Sequence, residues 1–102
     1  MKRVDLDASK WANAIAFYDD LLGALEAPHW HGYNINALID SVVWGDINAV
    51  EPPYTVRVHN LYAAAADARD ILEAFISYLP EQKMEYIKQN GYGPQVFFEI
   101  IT

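Results

Sequence analysis

The groups capable of chemistry in this chain gather in one short run, Pro28-His29-Trp30-His31-Gly32-Tyr33-Asn34-Ile35-Asn36-Ala37-Leu38-Ile39-Asp40. It combines imidazoles, aromatic rings, carboxamides and a carboxylate, which can exchange hydrogen bonds, stack on rings and oppose cations. The run lies in a stretch from Trp11 to Val56 that holds no lysine or arginine but includes Asp19, Asp20, Glu26, Asp46 and Glu51 as well as Asp40. Most of the chain's formal charge of −7 therefore arises here. Such a surface speeds encounter with a basic partner and repels polyanions. Direct binding of DNA or RNA is disfavoured on the same ground, because phosphate contacts need lysine and arginine.

Read as catalysts, the same residues fall short. His31 or His59 with Asp40 supplies a base and an acid, yet no nucleophile–base–orienter set and no glycine-rich phosphate loop accompanies them. The candidate face reads as convex, with no obvious pocket. His29-Trp30-His31 has a spacing found in some metal sites but lacks a third ligand. The absence of cysteine removes disulfides, zinc-thiolate sites and thiol nucleophiles together. The expectation is a binding protein with no cofactor and no metal, not an enzyme.

The elements that must position these groups follow from periodicity. Met1 to Leu6 alternates as a strand, with Val4 and Leu6 on one side. Ser9 is read as the N-cap of a helix to about Glu26, with Trp11, Ile15, Tyr18, Leu22 and Leu25 inward, closed by Pro28. Asn34 is read as the N-cap of a shorter helix to about Val43, burying Ile35, Leu38, Ile39 and Val42. Gly45 to Pro53 is a loop. Tyr54 to His59 alternates as a second strand, and Leu61 to about Leu79 is a helix that buries Ala64, Ala68, Ile71, Leu72, Phe75 and Leu79. Pro80 is read as opening a last helix that Gly91 and Gly93 end, before a third strand from Gln95 to Ile101.

Strands separated by long helical stretches imply parallel pairing, and polar alternation in the first two implies helices on one face only. The predicted fold is a single α/β domain over residues 1–102, in two layers, with a three-stranded parallel sheet. No apolar run reaches the roughly 18 to 20 residues of a membrane span, and no secretion signal is recognisable, so a cytoplasmic setting is expected.

On the shorter helix Asn36 and Asp40 are four residues apart and share a face, which Tyr33 and Trp44 extend at either end. Gly32 permits a turn that brings Trp30 and His31 alongside the helix start. The result is a patch of rings around one carboxylate and two amides, the composition of a protein–protein hot spot. Trp44 and Tyr33 serve equally well as core cover.

Pro-x-Trp-x-Gly-x-Asn-x-x-Ala-Leu-x-Asp after a first strand and helix resembles the segment that marks barstar-type ribonuclease inhibitors. The order of elements matches as well, with a longer stretch after Asn60. The resemblance implies a two-layer barstar-like fold whose second helix plugs the active-site cleft of a small ribonuclease. It implies that Asp40 accepts hydrogen bonds from the enzyme's basic residues and that Asn34 and Gly32 hold the helix start. It implies also that Trp30 stacks where the family has a tyrosine. Two positions depart: Asn36 stands where the family has a second carboxylate, and Ile39 where it has tryptophan. Asp46 and Glu51 lie in the following loop, and Glu85 is the nearest match to an acidic residue that the family uses from its last helix.

The expected function is that of an immunity protein, one that binds a basic nuclease toxin one-to-one and occludes its active site. The retuned positions point to a partner different from the family's best-known enzyme. The expected interface comprises Trp30, His31, Gly32, Tyr33, Asn34, Asn36, Asp40, Trp44 and Asp46, with Ile39, Glu51 and Glu85 as outlying members. The alternative is an interaction module that uses the same fold to tether a non-nuclease protein.

Overall fold

Alternation decides the sheet. The computed structural model describes residues 2–101, with Met1, the expected first strand residue, and Thr102 outside the described residues. Strands β1 (Lys2–Asp7), β2 (Tyr54–His59) and β3 (Val96–Ile101) pair in parallel in the spatial order β1-β2-β3. Register aligns Val4 with Val56 and Phe98, and Leu6 with Val58 and Ile100, so one face is apolar. The intervening rows, Arg3–Thr55–Phe97 and Asp5–Arg57–Glu99, line the opposite face. Three helices cover only the apolar face, as the polar alternation predicts.

Helix α1 spans Ala14–Ala24 and is capped by Asn13, whose side chain accepts from the Ala16 amide at 2.9 Å. The expected cap at Ser9 is therefore corrected. Asp7 takes that role for a separate 3-10 turn, Ala8–Lys10, accepting from the Ser9 amide at 3.1 Å and its hydroxyl at 2.6 Å. Trp11 still reaches the core from the connecting segment, packing edge-on against Phe17 and donating its indole N–H to Asp20 at 2.8 Å. Ile15 does not reach it and is 62% exposed. The helix ends before Glu26, which takes a left-handed φ of 54° while Ala27 N–H bonds back to the Leu22 carbonyl at 2.9 Å.

Helix α2 is short, Ile35–Ile39, and continues as a wider π-helical turn over Asp40–Trp44. The loop after it is pinned to the end of α1 by Ala49 N–H to the Glu26 carbonyl and Val50 N–H to the Leu25 carbonyl, both at 3.1 Å.

The two helices expected around Pro80 are one. After a 3-10 turn at Leu61–Ala63, α3 runs unbroken over Ala66–Asn90 with Pro80 inside it. Proline forfeits one helical hydrogen bond, but Leu72, Phe75 and Leu79 form a continuous buried stripe leading into it. Packing along that stripe outweighs the local preference for a break. Gly91 ends the helix with φ at 82°.

Candidate functional site

The segment between α1 and α2 is built from tight local bonds. His31 N–H donates to the Pro28 carbonyl at 3.0 Å, closing a turn that carries His29 and Trp30 at its tip. Trp30 is consequently 66% exposed, an unusual position for the largest apolar side chain.

His31 corrects the sequence expectation. It is only 7% exposed, with Nδ1–H donating to the Gly32 carbonyl at 2.8 Å and Nε2 2.8 Å from the Ser41 hydroxyl. A carbonyl can only accept, so Nδ1 carries a proton, while Nε2 exchanges its hydrogen bond with the Ser41 hydroxyl. The imidazole ties this turn from inside to the π-helical turn that follows α2. A histidine–serine contact of this kind suggests a nucleophile, but Ser41 is buried as well and also lies 3.3 Å from the Leu38 carbonyl.

Asn34 caps α2, its side-chain oxygen accepting from the Ala37 amide at 2.8 Å. Gly32 has a packing reason for being glycine: a β-carbon there would lie 2.8 Å from Asn34 Nδ2. Tyr33 lies half-exposed, stacked on Tyr18 with ring centroids 5.3 Å apart, and donates its hydroxyl to Asp19. That hydrogen bond holds the Tyr33 hydroxyl above its ordinary pKa, since ionisation would forfeit the bond and set two negative charges together.

Asn36 and Asp40 are four residues apart, with Asp40 exposed and Asn36 on the same side of the helix. Asp40 stands where α2 passes into the π turn, its carbonyl accepting from Gly45 N–H at 3.1 Å. Wider turns of this type recur at functional sites. Trp44 is half-buried against Tyr86 of α3, with centroids 5.3 Å apart, and the Tyr86 hydroxyl is pushed up by its hydrogen bond to Tyr92. Ile39 is 9% exposed and belongs mainly to the core. Asp46 is exposed in a left-handed conformation just past Gly45, and Glu51 is exposed further along the loop. Glu85 is exposed and pairs with Lys88 at 3.3 Å on its own helix.

Beside this surface lies a feature that periodicity and motif did not reveal. A groove of about 830 Å³ opens between α1, the start of α2 and α3, lined by Ile15, Ile39, Ile71, Tyr33 and Tyr78 among others. The candidate face is thus ridge and groove together. Residues from separate elements make the groove, and the periodicity of α1 had assigned Ile15 to the core, so no local signal announced it.

Among the described residues no three His, Cys, Asp or Glu side chains are grouped to hold a metal, and no helix is long and apolar enough to cross a membrane.

The arrangement supplies an exposed carboxylate, neighbouring carboxamides and an exposed indole on a cation-free frame, which suits recognition of a basic surface. No curated protein matches the chain. The family described as Barstar (barnase inhibitor) matches residues 1–99 of the 102, which takes in the motif, all three helices, the first two strands and the start of β3. The chain therefore belongs to the barstar family, whose members are inhibitors and not enzymes.

Proposed function

We propose that this protein is an immunity protein that neutralises a basic nuclease toxin by seating the α2 ridge in the enzyme's active-site cleft. Membership of an inhibitor family supports the general reading. The observation that carries the specific one is the placing of Asp40: exposed, at the end of α2, within a stretch free of lysine and arginine. A nuclease site concentrates cations to hold phosphate, and a carboxylate entering it makes short, charge-assisted hydrogen bonds. Trp30 contributes a ring able to stack where a base would lie, Asn34 and Asn36 contribute amides, and Tyr33, Trp44 and Asp46 border the contact. The complex is one-to-one and forms in the compartment where the toxin would act, the cytoplasm.

The test pairs co-expression with calorimetry. The protein is used to capture basic nucleases, and each captured enzyme is assayed with parent and Asp40→Ala. The parent abolishes activity. The variant binds weaker by about 3 kcal/mol or more, roughly a hundredfold, because its removal leaves buried cations unpaired. Equal affinity of parent and variant overturns the proposal. A second reading, a module tethering a non-nuclease protein, is favoured by Asn36, which leaves the ridge with a single carboxylate, and by Ile39, which stands where the resemblance expects tryptophan. Capture of a partner whose activity is untouched selects that reading.

A further inference from the structure

We propose that the groove between α1, α2 and α3 is a second recognition subsite, which takes a bulky apolar side chain projecting from a basic loop of the partner. The inference rests on the reading of α2 as a ridge that meets a basic protein. Ile15 at 62% and Tyr78 at 50% exposure stand in water at the groove, and half-exposed Tyr33 adds a third apolar surface. Scattered apolar residues need no explanation, but several converging on one cavity mark a binding surface. A volume of about 830 Å³ exceeds a single side chain and accommodates the tip of a loop.

Charge selects the occupant. Among the described residues Glu81 is the one charged group lining the groove, joined by the amides of Asn34, Asn36 and Gln82, with no lysine or arginine. An anionic ligand finds no counter-charge there, and a second copy of this chain would bring another net-negative surface against it. A basic loop brings arginine or lysine to Glu81 while its apolar side chain covers the isoleucines and tyrosines. Tyr33, Asn34 and Asn36 belong both to the groove wall and to the ridge, so one partner can occupy the two together.

The experiment titrates ¹⁵N-labelled protein with three capped peptides, acetyl-Arg-Phe-Arg-amide, acetyl-Arg-Ser-Arg-amide and acetyl-Glu-Phe-Glu-amide, and follows amide shifts. Arg-Phe-Arg is expected to move Ile15, Tyr33, Ile71 and Tyr78, and to bind about tenfold or more tighter than either control, reflecting a buried ring and a matched charge. The exposed-site variants Ile15→Ser and Tyr78→Ala, which leave the core intact, are expected to erase the preference for Phe over Ser. Glu81→Gln is expected to erase the preference for Arg over Glu. Equal binding of all three peptides, shifts confined to other surfaces, or no shift at millimolar peptide each overturns the proposal. Where a captured nuclease is inhibited equally by parent, Ile15→Ser and Tyr78→Ala, the groove fails and the inhibitor reading stands. Groove binding of Arg-Phe-Arg without any inhibited nuclease leaves the groove standing and removes the inhibitor reading.

Discussion

A β-carbon on Gly32 would stand 2.8 Å from Asn34 Nδ2 and 3.4 Å from the Ala37 methyl, so the residue there is dictated by its close neighbours. Gly32→Ala is expected to push Asn34 out of its capping position and destabilise the protein by about 1 kcal/mol, a typical value for a lost N-cap. Urea denaturation reads this directly, and an unchanged midpoint contradicts it. The motif holds Gly32, Asn34 and Asp40 at fixed spacing, so these positions were legible from residue order alone. His31 was not. Its inward turn depends on Ser41 ten positions later and on the carbonyl of Gly32, neither of which periodicity reports. The same spacing that resembled a metal site proved to be one imidazole buried and its neighbour His29 exposed.

Among the elements, α3 shows tertiary packing overruling a local signal. Pro80 reads as a boundary because it lacks an N–H and crowds the preceding turn. Yet the buried stripe of Leu72, Phe75 and Leu79 leads into the proline, and beyond it Tyr86 packs on Trp44, so both halves are anchored to the same layer. Pro80→Ala is expected to stabilise the protein by about 1–3 kcal/mol by restoring the missing bond. A fall in the denaturation midpoint contradicts this. The strands were legible to within a residue because period-2 alternation survives burial on one face. Helix ends were less so: Asn13 and Ser9 are both good capping types, and Asp7 claims Ser9 for a different turn.

At the scale of the molecule the one-sided layering was legible, since parallel connection and polar alternation together allow little else. The groove was not, because it is a gap between elements and no element encodes it alone. Two of the shifted titrating groups, one at each end, give the fold a pH dependence. Burial pushes the Tyr54 hydroxyl up to about 12, so the neutral form is favoured and the stability it supplies is complete below about pH 10. That contribution, about 3 kcal/mol, drains as pH rises from 10 towards 12, and Tyr54→Phe is expected to flatten this part of a pH–denaturation profile. At the acid end, hydrogen bonds from Ser9 and Asn60 hold Asp7 down to about 2, so its support is present above about pH 4 and is lost as pH falls towards 2. Asp7→Asn is expected to remove that acid slope. The charge distribution has a kinetic consequence as well. Association with a basic nuclease is expected to slow as salt rises, by stopped-flow, and a salt-independent rate removes the role of steering.

The π turn at Asp40–Trp44 gives the recognition ridge one residue more than a regular helix would hold in the same length. That surplus is slack stored directly behind the Asp40 carboxylate. The stretch between Asp40 and Asp46 can lengthen or shorten by trading one bonding pattern for its neighbour, without redrawing the three strands or the long helix. Reshaping this face is thereby separated from refolding the sheet.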